Sequence, residues 1–280
     1  IGLPMPGQNA GKLELKGAAG PMDSKDSAQT PIDARVKMDQ VELASIEALL
    51  GMQTPHAGKL TLDAEIAGKL ADGLTASGQI KAEQLRLIDG VEPARVPLET
   101  KFKLTAKSEK KPTPENAGQT EIVLKLEQCD VTLGKTAASV TGQINRLPVQ
   151  PTFDLQLKGD RMALDSLLES AYAFGFGPPP GTKASGAATL KVHAIGDQNN
   201  YALNGQAEIR ELKFQSAQLP QAIQISELKL SFDPQTITAA PFRSTLSRTT
   251  VDFKGVKLSD YGQSQKWPRL HLEIATEGAQ

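Results

Sequence analysis

The chain has 280 residues, of which 39% are hydrophobic and 22% charged, a composition that favours a folded core and argues against a disordered chain. Its formal net charge of -1 excludes the strong positive field by which proteins attract nucleic acid. The single cysteine, Cys129, excludes an internal disulfide and a cysteine-based metal site.

Apolar residues at every second position predict half-buried strands along most of the chain. In chain order this alternation covers residues 32–38, 60–66, 74–80, 98–104, 122–126, 153–157, 190–194, 201–209, 228–232 and 270–274. Short breaks such as 68–73 and 196–200 suit antiparallel hairpins. We therefore predict an all-β fold built on a long antiparallel meander of about sixteen strands.

Two segments have helical spacing instead, and they predict short α-helices at about 40–50 and 163–174. Asp39 followed by Glu42 has the form of a capping box, which predicts a helix that starts near Gln40. Pro, Gly and charged residues predict exposed loops at 21–30, 106–119 and 175–185.

The chain also matches itself, which predicts internal repeats of about 120 residues. Asp39, Leu43 and Ile46 match Asp160, Leu164 and Leu167. From these matches we expect one continuous domain with the end of a preceding repeat at 1–30, repeats at 31–150 and 151–267, and the start of a third at 268–280. The chain opens at Ile1 and has no run of about 18 apolar residues, so we expect any membrane anchor to lie outside it.

The pattern contains no recognisable catalytic or metal constellation. His56 is predicted in a loop, and His193 and His271 alternate with apolar neighbours, which predicts a solvated face. Ser226 and Lys229 have the Ser-x-x-Lys spacing but lie in a predicted strand, where the two side chains point to opposite faces. We therefore predict that the protein is not an enzyme and binds no metal or cofactor.

The apolar face of the strands is the candidate site. Each fully buried side chain on it would contribute about 1.5–3 kcal/mol, and two short helices are too small to cover it, so the sheet either closes as a sandwich or curls into an elongated, taco-like groove that a ligand fills. An eight-residue strand of about 26 Å folded in half gives walls of about 13 Å, close to the depth of one bilayer leaflet. The predicted lining residues are Val36, Leu60, Leu62, Ile66, Leu74, Ile80, Leu85, Leu87, Leu98, Phe102, Leu104, Leu124, Leu133, Val140, Ile144, Phe153, Leu155, Leu157, Leu190, Val192, Leu203, Ile209, Leu212, Phe214, Leu230, Phe232, Val251 and Phe253.

The order strand, helix, Gly-x-Leu-x-Leu hairpin resembles the AsmA-like family of bacterial envelope proteins, which are related in architecture to TamB and to chorein-type bridge lipid-transfer proteins. Residues 32–51 with 58–62, and their matches at 153–173 with 186–190, carry this resemblance. It implies a periplasmic segment of a protein of a Gram-negative bacterium, anchored to the inner membrane by a segment outside these residues. It also implies transport of phospholipid between the inner and outer membranes, in support of outer-membrane biogenesis.

Two functions are consistent with these observations. In the first, a hydrophobic groove binds the acyl chains of phospholipid, and the protein meets membranes or envelope partners through parts outside this segment. In the second, the chain is a structural envelope scaffold with a dry β core that docks a partner protein.

Overall fold

The computed structural model describes residues 11–22, 26–49, 56–109, 121–147, 150–171, 181–197, 199–217, 219, 221–247, 249–261 and 269–276. Within these ranges the strands of the first half are β1 (Lys12–Ala19), β2 (Ile32–Glu42), β3 (Ala57–Lys69), β4 (Gly73–Arg86), β5 (Leu98–Glu109), β6 (Glu121–Leu133) and β7 (Thr136–Leu147). The second half contains β8 (Thr152–Ala163), β9 (Lys183–Asp197), β10 (Tyr201–Gln215), β11 (Ile223–Asp233), β12 (Thr236–Ala239), β13 (Phe242–Leu246), β14 (Thr249–Ser259) and β15 (Arg269–Thr276). The helices are α1 (Leu43–Leu49) and α2 (Leu164–Ala171), with a short 3₁₀ helix at Ser27–Gln29.

The strands form an antiparallel sheet in which neighbours follow chain order from β1 to β12, so the predicted all-β meander is confirmed. Both β12 and β13 pair with β11 on one side and with β14 on the other. They are one strand position, interrupted at Ala240 and Pro241, because proline has no N–H to donate to the ladder. The order strand, helix, five strand positions therefore occurs twice, from β2 to β7 and from β8 to β14.

The chain divides into two compact units. The first comprises residues 1–134, 140–151 and 170–176, and the second comprises 135–139, 152–169 and 177–280. The prediction of one continuous domain stays a prediction.

The predicted start of the first helix is wrong. β2 continues through Glu42, Asp39 pairs with Lys12 of β1, and α1 begins only at Leu43, so Asp39 and Glu42 form no capping box. Gln40 is instead left-handed, with φ 51°, where the register between β2 and β3 shifts. This is a β-bulge, and it ends the regular alternation in a way that resembles helical spacing.

The second helix begins within one residue of the predicted start, since Ala163 ends β8 and α2 begins at Leu164. A left-handed residue, Arg161 with φ 45°, again lies at a register shift just before the helix. The predicted ends of both helices, at residue 50 and residues 172–174, lie outside the described residues.

The same type of hydrogen bond occurs at each of the two bulges. The backbone N–H of Gln40 donates to Thr61 Oγ1 at 3.4 Å, and that of Arg161 donates to Thr189 Oγ1 at 3.2 Å. In each unit the threonine lies on the strand after the helix. A side-chain hydroxyl therefore satisfies the N–H that the bulge removes from the sheet ladder.

Parts of the predicted loops belong to strands. Residues 106–109 extend β5, and residues 183–185 begin β9. The 3₁₀ helix lies in the first predicted loop, where Asp26 Oδ1 accepts from Ala28 N–H at 3.2 Å. The remainder of the second predicted loop, residues 110–119, lies outside the described residues.

Candidate functional site

The strands of the first unit share one apolar face. Residues directly opposite each other on paired strands have side chains on the same face, so the register identifies rows that cross from β1 to β6. The central row consists of Leu15, Val36, Ala64, Gly78, Phe102 and Cys129. Rows on either side consist of Leu13, Met38, Leu62, Ile80, Thr100 and Val131, and of Gly17, Ala34, Ile66, Ala76, Leu104 and Leu126. These rows contain no charged side chain.

The second unit has an apolar face of the same construction from β8 to β15. One row consists of Leu157, Val192, Gly205, Phe232, Ile237, Leu258 and Leu270. The next consists of Gly159, Leu190, Ala207, Leu230, Ala239, Val256 and Leu272. Corresponding strands of the two units pair in the same register. Ala64 of β3 faces Val36 and Gly78, and its counterpart on β9, Val192, faces their counterparts Leu157 and Gly205.

Most of the predicted lining residues lie on these two faces. Leu85 and Leu87 instead pack in a small cluster with Ala82 at the end of β4. Val140 and Ile144 are half-buried on β7. Leu85 and Val192 are buried, at 8% and 7% exposure, and every other predicted lining residue is half-buried.

The described residues contain little dense core. Among the described residues, twelve apolar side chains have less than about a tenth of their surface exposed; six of them are alanines, and the larger ones include Val41, Met162 and Ile225. A packed interior of this size would bury many large aliphatic and aromatic side chains completely. Within each unit, the large residues on the apolar face therefore contact their row neighbours and still expose apolar surface.

The predicted lining omitted Leu15, Met38 and Leu126, although the predicted apolar alternation at 32–38 and 122–126 contains Met38 and Leu126, and sequence reasoning missed Val41 and Cys129 altogether. The sequence signal for Val41 and Cys129 is a spacing of three residues between apolar positions, from Met38 to Val41 and from Leu126 to Cys129, in a pattern whose usual spacing is two. Each step coincides with a register shift. A bulge adds one residue to a strand, so the apolar side chains change parity in the sequence while they stay on one face.

Each helix packs at the end of the strands where the bulges lie. In the first unit Leu43 of α1 packs with Ala82, Leu85 and Ala94. In the second unit the buried Thr136 hydroxyl is within hydrogen-bonding distance of the N–H and C=O of Ala163, just before α2. In the first unit, α1 therefore covers one end of the apolar face.

The opposite face is charged and internally paired. In the first unit Arg35 forms a two-pronged ion pair with Asp63, with N–O distances of 3.0 and 2.9 Å, and this contact lowers the pKa of Asp63. In the second unit Arg243 pairs with Asp252 in the same way, at 2.7 and 3.1 Å. A sheet with one charged and one apolar face has a clear solvent-facing side, and charged groups on that side already form ion pairs with one another.

The charged face of the second unit has a concavity of about 1260 Å³, lined by residues around the bulges that include Arg161, Arg210 and Glu227. Arg210 pairs with Glu208 at 2.7 Å, and a hydrogen bond from Lys229 at 2.9 Å lowers the pKa of Glu227. These are ordinary ion pairs between residues of the same strand rather than groups poised for proton transfer.

Two histidines contact carboxylates, which the sequence did not predict. His56 Nδ1 is 2.5 Å from Glu47 Oε1 of α1, and His193 Nε2 is 2.6 Å from Asp154 Oδ1 of the neighbouring strand. Each is a pair, whereas a zinc site needs three or four protein ligands. In the part of the chain that the structure describes, no three metal-ligating side chains lie together.

The comparisons with known proteins identify no relative: no family model, no curated protein and no solved structure matches the chain. Among the described residues, neither helix has the length and apolar character that crossing a membrane requires.

Proposed function

We propose that the chain is a lipid-binding segment whose apolar faces shield the acyl chains of phospholipid. The observation that carries the proposal is that, in each unit, many large apolar side chains of the rows are only partly buried while the opposite face is charged and paired. A soluble protein rarely keeps so large a contiguous apolar surface unless that surface binds something.

The alternative, a scaffold with a dry core, requires a second layer over these faces. The buried apolar residues include Ala82 and Ala188 at the helix end, at 3% and 7% exposure, and Ala64, Val192 and Ala207 within the rows, whereas most of the larger row residues stay partly exposed. A flexible hydrocarbon chain fits an open apolar face better than a rigid protein layer does, because it adapts to side chains of unequal height such as Gly78 and Phe102, which lie side by side.

The strand lengths suit this occupant. β2 has 11 residues and β9 has 15, so at about 3.3 Å per residue they extend about 36 and 50 Å. Folded in half, as the groove hypothesis requires, they would form walls of about 18 to 25 Å. One leaflet of a bilayer has a hydrocarbon depth of about 15 Å, so an acyl chain would be enclosed with its headgroup in water at the rim.

The resemblance to the AsmA-like family supports the same reading. We propose on that basis that the segment works in the periplasm of a Gram-negative bacterium, in a protein anchored to the inner membrane, and that it moves phospholipid towards the outer membrane. The two successions of strand, helix and five strand positions, with bulges and register in the same places, are the repeats that such an elongated carrier would use.

Cys129 allows a direct test, because it is the only cysteine and lies in the central row of the first unit. We expect native mass spectrometry of the purified protein to show bound phospholipid. After delipidation, a maleimide should label Cys129 faster, and phosphatidylethanolamine–phosphatidylglycerol vesicles should slow the reaction again.

Burial raises the pKa of the Cys129 thiol, so the rates are compared at one pH and against the unfolded chain. A protein that carries no phospholipid, and whose Cys129 labelling is unchanged by vesicles, would refute the proposal. A labelling rate that is very slow and insensitive to delipidation would favour the dry-core scaffold.

A further inference from the structure

The charged faces of the two units differ at one set of equivalent positions. In the first unit Arg35 and Lys37 of β2 lie opposite Glu65 and Asp63 of β3. Asp63 Oδ2 lies 2.9 Å from a guanidinium nitrogen of Arg35 and 3.5 Å from Lys37 Nζ, and Arg35 also contacts Glu65 at 3.3 Å. At this place two positive charges are balanced by two negative ones.

The second unit keeps the register and loses the carboxylates. Lys158 of β8 corresponds to Lys37, and the residue that faces it, where the first unit has Asp63, is Lys191 of β9. Like charges directly opposite each other on paired strands destabilise a sheet. The equivalent positions on β8, β9 and β10 form a donor cluster, which consists of Gln156, Lys158, Lys191, His193, Asn204 and Gln206.

The carboxylates of β8 have other partners. Asp154 contacts His193 at 2.6 Å, and Asp160 accepts a hydrogen bond from the hydroxyl of Thr189 at 3.1 Å. Within the described part of the chain, neither of the two opposed lysines forms an ion pair. The repulsion between them is therefore not offset by a carboxylate, in contrast to the first unit.

The donor cluster surrounds a concavity of about 420 Å³. The lining consists of the six residues of the cluster and of one residue between them on each strand, which are Leu157, Val192 and Gly205. All members of the cluster except the half-buried His193 are exposed. The two ammonium groups and the three side-chain amides are therefore open to a solute from water.

We propose that the donor cluster binds a phosphate group, carried either by a free phosphate or by the headgroup of a phospholipid. Two opposed ammonium groups suit a compact anion with more than one negative charge, because lysine acts on phosphate as a point charge. A carboxylate ligand would instead favour the planar fork of arginine. The amides of Gln156, Asn204 and Gln206 supply donors for the remaining phosphate oxygens.

This inference goes beyond the proposed lipid-binding function. The donor cluster lies on the charged face, opposite to the rows that would contact acyl chains, so it holds or fails independently of lipid binding by those rows.

The test compares the full chain with the double variant Lys158→Gln/Lys191→Gln. The matched control is Lys101→Gln/Lys125→Gln, which removes two exposed lysines of the first unit that face Asp130 and Thr105 rather than each other. Both variants lose the same charge. The cluster variant also loses a like-charge contact, so it should fold and should melt no earlier than wild type in phosphate-free buffer.

Thermal unfolding in sodium phosphate and in sodium chloride of equal ionic strength measures binding of inorganic phosphate. At about tenfold excess over its dissociation constant, phosphate should raise the melting temperature of wild type and of the control by about 2–4 °C more than that of the cluster variant. Phosphate also stabilises proteins through exclusion from their surface, but that effect is common to all three chains.

Flotation with phosphatidylglycerol vesicles distinguishes the two sources of the phosphate group. If the ligand is a headgroup, the fraction of protein that floats should fall several-fold in the cluster variant and stay at the wild-type level in the control. A difference with inorganic phosphate alone would identify a free phosphate. The proposal would be overturned if the cluster variant matched wild type with both probes, or if the control variant lost as much binding as the cluster variant, because net charge would then explain the effect.

Discussion

Replacement of Leu230 by aspartate separates an open apolar face from a dry core. Leu230 lies in the second unit between Ala207 and Ala239 and is half-buried. Full burial of a leucine contributes about 1.5–3 kcal/mol and Leu230 is more than half buried, so Leu230→Asp should remove about two thirds of that contribution. The new carboxylate stays hydrated on an open face, and the free energy of unfolding of the lipid-free protein should fall by about 1–2 kcal/mol.

Lipid binding should respond much more strongly. A carboxylate under an acyl chain loses its hydration, which costs several kcal/mol, so lipid occupancy should fall at least tenfold, equivalent to about 1.4 kcal/mol. Denaturant unfolding gives the first quantity, and native mass spectrometry after incubation with phospholipid vesicles gives the second.

Ser231→Asp is the matched control. Ser231 is the next residue after Leu230; it is exposed and faces Gln206 and Thr238 on the polar side. Ser231→Asp therefore adds the same charge to the charged face and should leave both the free energy of unfolding and the lipid occupancy unchanged. A loss of stability above about 4 kcal/mol for Leu230→Asp would indicate an unpaired charge in a sealed core. Either that result or normal lipid occupancy would refute the open-face reasoning.

Three further predictions concern stability. Tyr261 is 6% exposed, and its hydroxyl bridges backbone groups of Leu203 and Asp233. Tyr261→Phe should lower the free energy of unfolding by about 1–3 kcal/mol, measured by denaturant unfolding. An unchanged unfolding midpoint would contradict this bridge. Gly205 has φ 143°, and an added Cβ would lie 2.1 Å from a backbone oxygen, so Gly205→Ala should lower the melting temperature, whereas Gly255→Ala, with its nearest contact at 3.6 Å, should not. The guanidinium of Arg35 lowers the folded-state pKa of Asp63 below its ordinary 3.8, so its stabilisation is complete above that value and is lost as the pH falls through the lowered pKa. Wild type should therefore lose more stability than Asp63→Asn between about pH 6 and pH 3, and parallel acid curves would show that this pair contributes nothing.

The sequence by itself determined the class of the fold and the two-sided character of the strands. Alternation such as Leu60, Leu62, Ala64 and Ile66 places apolar residues on one side of a strand whatever its neighbours are, because successive side chains point to opposite faces. Most residues proposed for the apolar face followed from this local rule. The same rule failed at Gln40, where a bulge looked like the start of a helix.

Only the tertiary structure decided which side chains share a row and how far each is covered. A row such as Val36, Ala64, Gly78 and Phe102 joins residues from four strands, and its composition depends on hairpin register and on every bulge along the way. The exposure of a side chain depends on what lies above the face, and the spacing of apolar residues in the sequence carries no information about that. The opposed lysines Lys158 and Lys191 belong to this second kind of information: each is an ordinary exposed residue of its own strand, and only the register between β8 and β9 places them opposite each other.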